Sequence, residues 1–163
     1  MHARHFLRLA VLPSVSALWL AVAPAVHADQ PAAATGTFTI SFSPTSVRTA
    51  DGNTLFDYTF AEHMLGTFDG TRVGSGFAVI HADGTLNTAN SGTFTGTIAG
   101  KSGTAVMRYS GSGTFAAAAG SFTVTEGTGE LAAVHAEGTD AGSATGPTSL
   151  AGTYSFKVHF SGE

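Results

Sequence analysis

The chain has 163 residues, a formal net charge of −4 at neutral pH and no cysteine. That length suits one domain with one core. The acidic balance argues against nucleic acid or an anionic membrane as partner, and the lack of cysteine removes disulfides, thiol catalysis and cysteine-bound metal. Apolar residues make up 43% of the chain, enough for a packed interior, and its 21 glycines favour turns over long helices.

Residues Met1 to Arg8 carry Arg4 and Arg8 and no acid, and Leu9 to Ala25 is apolar, broken by Pro13 and Pro24. Val26-His27-Ala28 then offers small residues at the two positions a signal peptidase reads. The expectation is an export signal over 1–28, cleaved after Ala28, and a protein released to the periplasm or the medium. A membrane span is disfavoured because the run is short and holds Pro13. Removal of the signal takes away two arginines and no acid, so the exported chain is more acidic than the whole. No membrane association is expected of it.

Residues 29–35 read as a linker and 36–163 as the folded domain. Phe38, Ile40 and Phe42 alternate with Thr37, Thr39, Ser41 and Ser43, which predicts a half-buried strand. Pro44 to Asn53 reads as a polar loop with a turn at Asp51-Gly52. The next strand puts Phe56, Tyr58 and Phe60 on one face, and the same parity runs on through Glu62, Met64 and Phe68. Asp69-Gly70 reads as a hairpin turn. Val73, Phe77, Val79 and His81 then share the apolar parity of a third strand, and Asp83-Gly84 turns the chain again. Phe94 and Ile98 mark a fourth strand, with a turn at Gly100-Lys101-Ser102-Gly103. In the fifth, Val106 and Arg108 share one parity against Ala105, Met107 and Tyr109. Phe115, then Phe122 and Val124, carry two short pieces, and Ala116 to Ala119 suits a helical turn. Leu131 to Val134 is a short apolar segment. Gly138 to Ser149 reads as a loop. The last strand alternates cleanly, with Tyr154, Phe156, Val158 and Phe160 inward.

A series of about eight strands with one apolar face and no clear helix closes most economically into an antiparallel barrel, because closure removes exposed edges. The expected fold is therefore all-β, a closed antiparallel barrel, with a β-sandwich as the alternative. A barrel of that size is either filled by its own side chains or holds one small ligand.

An ordered set of motifs carries a family resemblance. It runs Thr67-Phe68-Asp69-Gly70, Ala82-Asp83-Gly84-Thr85, Gly92-Thr93-Phe94, Gly100-Lys101-Ser102-Gly103 and Ser112-Gly113-Thr114-Phe115, then Glu126-Gly127-Thr128-Gly129-Glu130-Leu131-Ala132. Together these resemble a bacterial family known as a domain of unknown function, itself similar to the allene-oxide-cyclase-like and dirigent-like barrels. The resemblance implies an eight-stranded barrel with a central apolar cavity, and no particular activity.

No nucleophile elbow, phosphate loop or His-Glu-x-x-His motif is present. Gly74-x-Gly76 and Gly127-x-Gly129 open no credible helix and read as turns. The sharper signal is polar residues on apolar rows. Tyr58, Glu62, His81 and Arg108 would converge inside a barrel whose rows all face inward. A carboxylate in an apolar cavity has a raised pKa, so Glu62 is the first candidate acid–base residue and His81 the second. Arg108 is the expected partner of Glu62. The competing reading places each residue at a strand end, in water. His63, His81, His135 and His159 lie on differing faces, so neither a bound metal nor a cofactor is expected. Three functions fit: binding of a small apolar or amphipathic molecule, a cyclase- or isomerase-type reaction, or a structural or inhibitory module that meets a partner through its Thr/Ser-rich exterior.

Overall fold

The computed structural model describes residues 30–161; the segment read as an export signal lies outside them. Eight strands follow in order. They are β1 (Ala32–Ala50), β2 (Asn53–Gly66), β3 (Phe68–Ile80), β4 (Thr85–Ile98), β5 (Lys101–Thr114), β6 (Ala117–Thr125), β7 (Val134–Gly146) and β8 (Ser149–Phe160). Each pairs antiparallel with the next, and β1 pairs with β8 from Ala32↔Val158 to Ser41↔Ser149, so the barrel closes. The alternative of a two-sheet sandwich is thereby replaced by one continuous sheet. One 3₁₀ turn, Gly129–Leu131, interrupts the β6–β7 connection.

Turn chemistry sets the hairpins. Asp51-Gly52 and Ala99-Gly100 each join two paired strands with two residues of positive φ, the condition for a type I′ turn. The Asp83 carboxylate accepts hydrogen bonds from the Thr85 N–H (2.9 Å) and hydroxyl (2.7 Å), fixing the β3–β4 turn.

Several boundaries differ from the sequence expectation. β1 starts at Ala32, within the segment read as linker, and runs through the stretch read as a polar loop to Ala50. Asp69-Gly70 lies inside β3; the chain turns at Gly66-Thr67 instead. The Ala117–Ala119 run is extended, and Gly138–Gly146 belongs to β7. In each case a polar or glycine-rich sequence is held in strand form by its ladder, against β2 alone for Ser46–Ala50 and on both sides for Gly138–Ser143, and this outweighs local preference.

The interior is uneven. At the end holding the β2–β3 and β4–β5 turns, Met64, Phe68, Phe94, Ile98, Met107, Phe122, Val124 and Phe156 form a solid core. Tyr154 seals this end: its hydroxyl accepts the Phe68 N–H at 2.9 Å and lies 3.2 Å from the Leu65 and Phe68 carbonyl oxygens, to which it donates. At the opposite end a smaller cluster of Tyr58, Phe60, Ala78 and Leu86 lines a wall and leaves the centre open.

Candidate functional site

The open end leads into a cavity of about 90 Å³. Phe42, Phe56, Leu86 and Phe115 surround its mouth, and Glu62, Arg72, Asn90, Tyr109 and Asp140 bring polar atoms to its deeper wall. Both Tyr58 and Glu62, proposed from the sequence, are in the lining. His81 and Arg108 are not.

Glu62 on β2 and Arg72 on β3 are directly opposed across the ladder and both point inward. They are 2% and 1% exposed. Arg72 Nε lies 2.6 Å from Glu62 Oε2. The guanidinium is packed between the Phe60 and Phe122 rings, 4.6 Å from each centroid. Burial pushes the Glu62 carboxyl up and Arg72 pulls it back; burial likewise draws Arg72 below its ordinary value while Glu62 opposes the shift. A guanidinium keeps its proton in such a site, so the pair is ionic, and Asp140 adds a second, weaker attraction on Arg72.

The partner expected for Glu62 was Arg108. That residue faces outward: its Nη2 donates to Glu126 Oε1 at 2.8 Å and its Nη1 to Thr125 Oγ1 at 3.1 Å, both in solvent. The inward row of β5 is Ala105, Met107 and Tyr109. On β3 the apolar parity also misleads. Val73 is 57% and Phe77 54% exposed, whereas Arg72 and Ala78 point in. His81 accordingly falls outside the barrel, in the β3–β4 turn, where its Nδ1 meets Asn53 Oδ1 at 3.3 Å and its Nε2 accepts from Asn87 Nδ2 at 2.7 Å.

Besides Arg72, three more inward residues are not legible as such in the sequence. Asp140 stands on β7, in the stretch taken for a loop. Burial, then repulsion from Glu62, pushes its carboxyl up to about 6, with Arg72 opposing. Tyr109 is raised above its ordinary value, first by burial and then by Asp140. Asn90 donates through Nδ2 to the Tyr58 hydroxyl at 3.2 Å; Tyr58 donates to Thr88 Oγ1 at 2.8 Å, and Thr88 to the Phe77 carbonyl at 3.0 Å. That relay leaves Asn90 Oδ1 unpaired. Among the described residues, Arg72 Nη1 and Asp140 Oδ1 are likewise buried with no hydrogen-bond partner.

Room for these groups comes from glycine. Gly111 and Gly120 flank Tyr109 so closely that a Cβ on either would overlap its ring.

Chemically the site offers an aromatic entrance, one buried cation, two carboxylates and polar atoms with unused bonding capacity. No protein-family model and no curated protein matches the chain. Among solved structures it is similar to a protein of unknown function from the DUF3224 family of Shewanella oneidensis, with a TM-score of 0.66 and 20% identity over 82% of this chain and 100% of that one. The chain thus shares the barrel fold of a bacterial domain of unknown function.

Proposed function

We propose that the protein is an exported barrel that binds one small amphipathic molecule in its interior. The observation that carries this reading is Arg72, 1% exposed, in the lining of an aromatic-mouthed cavity with Nη1 unpaired. A buried donor left without a partner costs about 1–3 kcal/mol, which a bound ligand would recover. Apolar walls with a few convergent polar groups are what small-molecule sites present. The likeness to allene-oxide-cyclase-like barrels, read from the sequence, belongs to the same proposal.

The cyclase or isomerase reading draws on Asp140, whose carboxyl burial pushes up to about 6. Against it, Glu62 is engaged by Arg72 and His81 lies outside the cavity lining. Titration with an apolar fluorescent probe, together with native mass spectrometry of the purified protein, tests binding. Saturable uptake of one probe per chain is expected; no uptake and no co-purified mass would leave the outer surface as the working part. Sequencing the N-terminus of protein from periplasm or medium tests export, and a start at Asp29 is the expected result.

A further inference from the structure

The cavity's charge and bonding inventory narrows the ligand. The charged groups in its lining are Arg72, Glu62 and Asp140, one cation against two carboxylates. Arg72 is already neutralised by Glu62 at 2.6 Å. A ligand carboxylate placed by Arg72 would be held close to two acids, in a site where burial weakens screening. A cationic head would gain Asp140 but offers no acceptor, and so would leave the Arg72 Nη1 donor unpaired. The unused bonding capacity points the same way. Arg72 Nε and Glu62 Oε2 face each other as an ion pair without an aligned hydrogen bond; outside that pair, the buried atoms without a partner among the described residues are one donor, Arg72 Nη1, and two acceptors, Asn90 Oδ1 and Asp140 Oδ1, on β3, β4 and β7. The complement is an uncharged group that accepts once and donates from an adjacent atom. The volume of about 90 Å³ is below the roughly 150 Å³ of a closed cavity that holds benzene, so the interior takes the inner end of one planar ring, with the rest of the ring between the aromatic side chains of the open mouth, and excludes a folded chain.

Resting on the binding reading above, we propose that the occupant is an uncharged, single-ring molecule whose inner end carries a hydrogen-bond acceptor beside a donor, as a carboxamide does, and that carboxylates are selected against. Its acceptor meets Arg72 Nη1 and its N–H or O–H meets Asp140 or Asn90. Selection comes as much from the repulsive acids as from the matching bonds.

The test uses three probes of one shape, benzamide, benzoate and benzylamine, measured by calorimetry or ligand-observed NMR on the exported-length protein. The apolar fluorescent probe serves as a separate measure of binding. At about pH 8, where all three acids and bases have settled charges, benzamide is expected to bind about tenfold or more tighter than benzoate, with benzylamine also weaker than benzamide. In Asp140→Asn the benzamide-to-benzoate ratio should shrink several-fold, because one of the two repelling charges is gone; circular dichroism confirms that the variant is folded. Benzoate or benzylamine binding as well as benzamide, while the fluorescent probe still binds, overturns the head-group assignment alone. If neither the fluorescent probe nor any of the three binds, the cavity reading itself falls, and this inference with it.

Discussion

Asp140 shows how one buried group can set a pH dependence. Its carboxyl is raised from 3.8 to about 6 in the folded chain. Between those values the folded chain holds a proton that the unfolded chain has released, so stability falls as pH rises through the window. The titratable groups that act on it or that it acts on are Glu62 on β2, Arg72 on β3 and Tyr109 on β5. Of these Glu62 adds to the shift and Arg72 opposes it. Asparagine in its place cannot ionise. Asp140→Asn is therefore expected to be more stable than wild type by about 1–2 kcal/mol at pH 8, with the difference closing below about pH 4. Urea midpoints across that range decide it; a difference independent of pH would assign the effect to packing. A second residue-scale comparison checks the facing of the strands. Phe156 is buried among Phe68, Phe122 and Tyr154, whereas Thr37 is exposed on β1. Phe156→Ala should cost about 3–5 kcal/mol and Thr37→Ala under about 0.5. Equal midpoint shifts would contradict the inward row of β8.

At the scale of elements, the β2–β3 ladder places Glu62 opposite Arg72, and this pairing decides what the site is. Removing one member leaves a buried charge unmatched, at a cost of about 3–5 kcal/mol, whereas replacing both by apolar or neutral residues of similar size costs far less. The double variant Glu62→Gln/Arg72→Met is accordingly expected to be more stable than Arg72→Met alone, in a double-mutant cycle read by thermal melts. Additive losses would mean the two do not act as a pair. The same ladder explains what the sequence could and could not disclose. β1 from Phe38 to Phe42, β2 and β8 are legible because their inward rows are largely aromatic or aliphatic and their outward rows largely polar, with Thr37, Thr39 and Ser41 on β1, Asp57, Thr59 and His63 on β2, and Ser155 and Lys157 on β8. Tyr58 and Glu62 followed from that alternation. On β3 the inward row is Phe68, Gly70, Arg72, Gly74, Gly76 and Ala78, while Val73 and Phe77 stand outside. Hydrophobic parity there points the wrong way, so His81 was drawn in and Arg72 left out. On β5 the same inversion drew in Arg108 and left out Tyr109. Register corrects both, but it depends on the turns at Gly66-Thr67 and Ala99-Gly100, and Asp69-Gly70 and Gly100-Lys101-Ser102-Gly103 carry the stronger local turn signals.

For the whole molecule, closure and uneven filling have different consequences. Pairing of β1 with β8 leaves no free edge, so the eight strands protect one another's backbone without disulfides. The packing inside that ring is not uniform. One end is filled by Phe68, Phe94, Met107, Phe122 and Phe156; the other is lined by partly exposed rings around open space. Local stability follows buried contact density, so the two ends should open with different free energies. Native-state hydrogen exchange is the measurement. Amides of β5 and β8 near Met107 and Phe156 are expected to exchange only through global unfolding, and those from Thr114 to Ala118, across the β5–β6 hairpin at the mouth, through local opening. A ligand seated in the cavity would slow the mouth most, since it adds contacts where the protein has fewest. Uniform protection around both ends would show that the ring of hydrogen bonds, rather than the core, sets stability throughout, and the mouth would then be too rigid to admit a ligand by local opening.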